Sequence, residues 1–273
     1  MGVFFLQLRL KIKSILLRLL YFKNEQVLLR GELKNTPDKI PVIFFTVHKA
    51  GSSLLSDRLT KLFSRSGYVT ADLSSFFAKT NPAQRKKFFA DLRWKEKVFS
   101  QRGVYYCVFR YPFDVPFFDK HKIILVLRDP RDILVSHYFS TRFSHPTQNM
   151  DFFSLKEKAN SMTIDEYVLF IADDFRQRYE KYLGMIGKEN VLFLRYEDMI
   201  TAPVDFEERI RTFLGMPVEK GELVREEDFQ LEQENPQAHK RYVQSGDHIR
   251  KLKPETIEKL NGIFGKVLVP LGY

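Results

Sequence analysis

Two apolar runs constrain this chain more than any other feature. Val42–Val47 reads VIFFTV and Ile123–Leu127 reads IILVL. Runs this apolar suit strands covered on both faces, because a strand solvated on one face alternates polar with apolar residues. Each run ends in a polar turn, HKAGSS after the first and Arg128-Asp129-Pro130 after the second. Helical spacing follows over Leu54–Phe63 and Arg131–Phe139. Tyr68–Leu73, Gly103–Phe109 and Val191–Arg195 read as three more strands. A basic stretch from Pro82 to Phe99, an amphipathic stretch from Ile164 to Leu183, Pro203–Leu214 closing at Gly215, and Pro254–Leu268 read as helices. Residues 140–162 lack periodicity and predict a loop over one end of the sheet, and residues 219–250 are polar and irregular. Strand-helix alternation predicts an α/β fold with three layers, a central parallel sheet flanked by helices and a P-loop-like phosphate-binding turn. One domain over 41–273 with an N-terminal segment over 1–30 is the expected organisation.

Composition narrows the partners. The chain has 44 Lys and Arg against 34 Asp and Glu, a formal charge of +10. That excess favours anionic partners: nucleic acid, an acidic membrane face or a phosphorylated small molecule. The single cysteine, Cys107, excludes an intrachain disulfide framework. Six scattered histidines without metal-ligand spacing give no metal site. The 26 Phe and 12 Tyr point to a bulky aromatic core or an apolar substrate channel.

Met1–Lys23 is strongly apolar, yet Arg9, Lys11, Lys13 and Arg18 interrupt every stretch long enough to span a bilayer. A spanning helix needs about 20 nearly uncharged residues. No small-residue cleavage site follows, so a signal peptide fits poorly. Gln7, Lys11, Ser14 and Arg18 fall on one helical stripe, which suits an interfacial helix on an anionic membrane. A helix covering the domain's own core satisfies the same pattern, and both readings stay open. A cytoplasmic protein, peripheral to a membrane through residues 3–22, is the corresponding expectation.

The turn HKAGSS, between a buried strand and a helix, has the layout of an anion cradle, since N–H groups at a helix start and the helix dipole both favour negative charge. Gly51 permits close backbone approach, Ser52 and Ser53 add hydroxyls, and Lys49 adds a mobile charge. It is not a Walker A loop, because Lys49 precedes Gly51 rather than following a glycine. Arg128 at the second strand end, with Ser136 eight residues on, can clamp a phosphate. The plain alternative is a structural ion pair of Arg128 with Asp129 or Asp132.

These segments resemble the sulfotransferase family. PVIFFTVHKAGSSLLSDRL is similar to its 5′-phosphosulfate loop, and KIILVLRDPRDILVSHYF to its 3′-phosphate motif. VLFLRYEDMITAPVDFEERIRTFLG and the C-terminal HKRYVQSGDHIRKLKPETIEKLNGIFGKVLVPLGY resemble two further elements, in family order, over Pro41–Tyr273. The resemblance implies an enzyme that moves a sulfuryl group from 3′-phosphoadenosine 5′-phosphosulfate (PAPS) to a hydroxyl or amine of a small-molecule, lipid or glycan acceptor, with no metal. It implies Lys49, Ala50, Gly51, Ser52 and Ser53 at the 5′-phosphosulfate, Arg128, Ser136 and Arg241 at the 3′-phosphate, and Tyr196 against the adenine.

The chain also departs from that pattern. His48 replaces the usual Pro, Ala50 a Ser-like residue, and Arg241-Tyr242-Val243 and Gly246-Asp247-His248 alter the C-terminal loop. Arg110 stands where cytosolic members carry a catalytic His, and an arginine cannot act as a base near pH 7. Lys49 is suited to stabilise the leaving phosphate oxygen. For the base, the membrane-associated branches imply Asp72; His48 is next, and His137 and His145 lie near the expected mouth. Asp72 capping a helix near Ser74 and His48 as a packing residue are the plain alternatives. Phe76, Phe77, Phe113–Phe118 and the 140–163 segment are expected to wall the acceptor channel; Arg85, Lys86 and Lys87 suit an acidic glycan or a solvated face. No nucleic-acid partner is expected. A P-loop kinase, or a non-catalytic membrane- or nucleic-acid-binding module on the same fold, are the competing functions.

Overall fold

A computed structural model describes residues 15–17, 19–33, 39–144, 150–217, 223–229 and 242–273, with the side chains of 144 and 150–153 left aside. Its five strands are β1 (Val42–Thr46), β2 (Val69–Ala71), β3 (Val104–Phe109), β4 (Lys122–Leu127) and β5 (Val191–Arg195), in the sheet order β2-β3-β1-β4-β5. β3 pairs in parallel with both β2 and β1, with Val104 opposite Val69 and Tyr105 opposite Val42. β1 and β3 are buried at every position and β4 at all but its first, which is what their unbroken apolar composition requires. Contacts divide the chain into two compact units, one of residues up to Phe45 with Ser53–Ile124, the other of Thr46–Ser52 with Leu125–Tyr273.

The first unit carries α1 (Lys23–Arg30), most of α2 (Ser52–Arg65), α3 (Leu73–Thr80), α4 (Pro82–Ala90) and α5 (Leu92–Phe99). Its core is aromatic. Phe63 stacks on Tyr105 at 4.2 Å, Phe88 meets Trp94 edge-on at 5.3 Å, and Phe99 lies 4.8 Å from Tyr106. Such pairs add about 0.5–1.5 kcal/mol each beyond area burial. α1 docks through Leu28, which is fully buried, and through bonds from Gln101 to the Leu28 carbonyl (2.8 Å) and from the Trp94 indole to the Leu29 carbonyl (3.3 Å). The expected single helix Pro82–Phe99 is two, because Asp91 is extended and its carboxylate accepts from the Trp94 amide, starting a new helix. α3 begins at Leu73, where a strand end was expected, for the same reason: Asp72 accepts from the Ser75 amide at 2.8 Å.

The second unit carries α6 (Pro130–Phe139), α7 (Met150–Ser161), α8 (Ile164–Leu183), α9 (Tyr196–Thr201), α10 (Pro203–Leu214), α11 (Asp247–Lys251) and α12 (Pro254–Leu271). The loop expected over 140–162 is instead a π-helical turn, Ser140–Ser144, and the helix α7. MDFFSLKEKANS lacks a clear apolar stripe, so a reading built on periodicity does not see it. α8 starts from a capping box of Thr163 and Glu166 and packs against α6 and α12. Two of its tyrosines, one turn apart, fix strand ends: Tyr182 donates to the Thr46 carbonyl (2.8 Å) and Tyr179 to the Arg128 carbonyl.

In α10, Glu207 and Arg211 form an ion pair of 2.9 Å, both side chains at 3% exposure or less, with the Leu223 amide donating to Glu207. Removing one partner strands the other in the interior. Arg211→Met is expected to cost about 3–5 kcal/mol in urea unfolding, with the double variant Glu207→Gln/Arg211→Met recovering part of the loss.

Candidate functional site

The turn after β1 holds two left-handed residues, Lys49 at φ 69° and Gly51 at φ 66°. For glycine that conformation is free; for lysine it costs about 1–2 kcal/mol. Gly51 is needed on a second count. A Cβ there would lie 2.6 Å from the Met199 methyl and 3.2 Å from the Tyr196 ring. Ser52 opens the 14-residue helix α2, whose first turn contains no acidic residue. Ala50 and Ser52 are buried, His48 and Lys49 half-buried, and Ser53 exposed.

Arg128 locks this turn. Its guanidinium donates to the Lys49 carbonyl at 3.1 Å and to the Gln244 carbonyl at 3.2 Å, and lies 4.6 Å over the Tyr196 ring. Asp132, one turn into α6, approaches it at 3.5 Å. The ion-pair alternative is therefore present through Asp132, while Asp129 is taken by Arg131 at 2.6 Å. Burial opposes the Arg128 charge, but Tyr196, Asp132, Glu197 and Asp247 around it raise its pKa above the ordinary value. The Arg128 Nε is buried and has no hydrogen-bond partner.

Asp132 organises the other side. Fully buried, it accepts from the amides of Gly246 (2.8 Å) and His248 (3.0 Å) and lies 2.7 Å from His248 Nδ1. Burial pushes its pKa up, but the His248 bonds and the Arg128 charge outweigh that and hold it at about 2. Tyr196, 4% exposed, donates to the Val243 carbonyl at 2.9 Å. Its ring supports Gly51 and Arg128 from within. Glu197, next in sequence, accepts from the Asp129 amide (3.1 Å) and from the Tyr273 hydroxyl. Lys49, Gly51, Arg128 and Tyr196 are thus drawn together. Ser136 sits half-buried on α6, and Arg241 and His145 lie outside the described residues.

The first unit holds a cleft of about 420 Å³ at the carboxyl ends of the parallel strands β2 and β3. Its lining is largely polar and includes Ser56, Asp57 and Thr60 of α2, Asp72 after β2, Arg110 after β3, and Glu25 of α1. Ser53, the residue after Ser52, also faces it. Burial draws the Arg110 pKa down, with Asp72 opposing. Glu25 is 5% exposed and accepts the Asp72 amide at 2.7 Å. Phe76 and Phe77, expected as channel walls, belong to the core instead, at 3% and 0% exposure. Among the described residues no group of three or more His, Cys, Asp or Glu is placed to hold a metal ion.

Residues 39–269 match the sulfotransferase domain family. The chain belongs to the sulfotransferase family. Two relatives from Cavia porcellus are a 3-alpha-hydroxysteroid sulfotransferase, 30% identical over 128 residues (44% of this chain, 41% of that protein), and a 3-beta-hydroxysteroid sulfotransferase, 29% identical over 113 residues (39% and 36%). The chain therefore spans about two fifths of the length of these relatives. A crystal structure of mouse sulfotransferase SULT7A1 complexed with PAP superposes with a TM-score of 0.55 at 17% identity, covering 90% of this chain and 89% of that one, which shows a shared fold.

Sequence reasoning about a sulfotransferase singled out Arg128 but gave Asp132 only a partner's role, and it missed Gln244, Met199 and Glu25 altogether. His248 stood out as a departure from the family pattern, and the structure supplies its reason, the bond to Asp132.

The folded pKa of Asp132, about 2, lies below its unfolded value, so its contribution to stability is full above about pH 4 and is lost as pH falls from there towards 2. Asp132→Asn is expected to lower stability by about 3–5 kcal/mol at pH 7 and to flatten the acid limb of stability against pH, as read by denaturant titrations from pH 7 to 2.5.

Proposed function

We propose that this chain transfers a sulfuryl group from PAPS to a hydroxyl or amine of a small-molecule acceptor. The observation that carries the reading is the Lys49–Gly51 turn held by Arg128, within a chain that belongs to the sulfotransferase family. A backbone with left-handed residues at such a turn directs N–H groups towards an anion, and the start of α2 reinforces it. The Arg128 Nε, buried without a partner, is a donor suited to a phosphate oxygen. The residues present fit a bis-anionic nucleotide. Lys49, Ala50, Gly51, Ser52 and Ser53 would hold the 5′ end, and Arg128, Ser136 and Arg241 the 3′-phosphate, in the single domain proposed over 41–273. When bound, PAPS supplies an activated sulfuryl group and a phosphate leaving group. Lys49 would neutralise the charge on that phosphate oxygen, the electrostatic contribution that is usually the largest. Arg128 keeps the turn in place.

Titration calorimetry with 3′-phosphoadenosine 5′-phosphate (PAP), without magnesium, is expected to give micromolar or tighter binding, and ATP much weaker binding. Gly51→Ala is expected to weaken PAP at least tenfold, since a Cβ at φ 66° meets Met199 and Tyr196. Absence of PAP binding by the wild type, or a preference for ATP with magnesium, would overturn the reading.

We further propose that the N-terminal segment contacts a membrane surface, which would deliver a lipid-soluble acceptor to a cytoplasmic, peripheral enzyme. Ile15, Leu16, Leu19, Leu20 and Tyr21 are each more than half exposed, a run of apolar side chains that water disfavours. No described helix is long and apolar enough to cross a membrane. Flotation with vesicles containing 30% phosphatidylserine is expected to carry the protein upwards, and Leu16→Glu/Leu20→Glu to abolish it.

A further inference from the structure

We propose that His248 is a positioning residue for anion binding: by holding the Asp132 carboxylate it keeps that group from closing on Arg128, whose positive charge is thereby left for a phosphate. The inference rests on the sulfotransferase reading, and every residue it uses belongs to the second unit. Arg128 and Asp132 stand four residues apart in sequence, both side chains at 3% exposure or less, yet their closest nitrogen and oxygen are 3.5 Å apart. A charge pair buried this deep is expected to close to about 2.7–2.9 Å, since no water competes for either group. Other pairs of the same spacing in this chain do close. Arg211 and Glu207, equally buried, meet at 2.9 Å, and Arg176 and Glu180 at 2.5 Å. Asp132 is therefore held back.

The C-terminal loop supplies the restraint. His248 Nδ1 lies 2.7 Å from Asp132 Oδ1, and the His248 amide donates to the same oxygen at 3.0 Å. Beside a carboxylate, Nδ1 carries the proton and donates it. The Gly246 amide donates to Oδ2 at 2.8 Å, where Arg128 makes its longer contact. Two of these three short bonds come from backbone amides, which a change of side chain leaves in place; the third depends on the imidazole. Burial pushes the Asp132 pKa up, and the His248 side-chain bond lowers it more than the Arg128 charge does.

The other acids around Arg128 are engaged elsewhere. Glu197 accepts from the Asp129 amide at 3.1 Å and from the Tyr273 hydroxyl, and Asp247 pairs with Arg250 at 3.2 Å. The terminal nitrogens of Arg128 donate to the Lys49 and Gln244 carbonyls, which satisfy N–H groups without cancelling charge, and its Nε is buried without a partner. A cation held this way has its geometry fixed and its charge uncancelled, as an anion receptor requires. Without the imidazole bond Asp132 would turn towards Arg128. That closure would neutralise the guanidinium and bring a negative charge nearer the phosphate.

The test compares two replacements of His248 that differ in one donor. Asparagine places an amide N–H near the position of Nδ1, whereas phenylalanine keeps the bulk of a ring and donates nothing. Each variant is titrated with PAP and with adenosine 5′-monophosphate, which lacks the 3′-phosphate assigned to Arg128. His248→Phe is expected to lower the ratio of PAP affinity to adenosine 5′-monophosphate affinity at least tenfold, the loss of about one charge-assisted hydrogen bond, and His248→Asn to leave it within threefold of wild type. A role in packing alone gives the reverse order, with phenylalanine the milder change. Nitrogen NMR of the nucleotide-free wild type is expected to find a proton on His248 Nδ1, which decides the matter even if His248→Phe does not fold. A ratio within threefold of wild type in His248→Phe, an equal loss in both variants, or an Nδ1 without its proton would overturn the proposal. Wild type that fails to bind PAP would instead bring down the sulfotransferase reading on which the proposal rests.

Discussion

The guanidinium of Arg128, 2% exposed, is the group on which the arrangement of the second unit's turns depends. A charge this deep is tolerated only with its bonds nearly all satisfied, and its partners come from three separate segments: the Lys49 carbonyl, Asp132 on α6, and the Gln244 carbonyl. Asp132 in turn gathers the Gly246 and His248 amides. One buried pair therefore ties the turn after β1 and the C-terminal loop to the start of α6. Replacing such a pair by apolar residues can be neutral for stability, but no apolar residue would hold two carbonyls and a carboxylate in register. The network is better explained by the shape it imposes than by the energy it contributes.

The corners themselves are set from α8. Tyr179 and Tyr182 bond the carbonyls of Arg128, just after β4, and of Thr46, the last residue of β1. Fully buried hydroxyls need partners, and fully buried carbonyls need donors. A single helix thus fixes where both turns begin, which lets the turns carry functional side chains.

Much of this was legible in the sequence, and the reasons are physical. β1, β3 and β4 were visible because strands buried on both faces are apolar throughout, and the turn after β1 because a glycine and two serines stand between strand and helix. What escaped was whatever depends on partners distant in sequence. Asp132 reads as an ordinary acid near a helix start until residues 246–248 come to it. Glu25 reads as one polar residue of KNEQVLLR, and nothing local marks it as buried, because its burial follows from α1 docking on Gln101 and Trp94. The break at Asp91 and the helix α7 were missed for opposite reasons, a cap hidden inside a helical pattern and a helix with little pattern to show.

Lys49 shows why the turn is not explained by folding alone. At φ 69°, glycine would be more stable than lysine by roughly 1 kcal/mol, and the chain does place glycine at the turn's other left-handed position, Gly51. Lysine at the strained position therefore supplies something glycine cannot, a positive side chain, as the proposed anion cradle requires. The strain persists because Arg128 holds the Lys49 carbonyl and Tyr196 and Met199 pack against Gly51, leaving the turn no relaxed alternative. Conformational strain and glycine packing thus fall on the three residues Lys49 to Gly51, and the buried charge of Arg128 holds them from outside the turn.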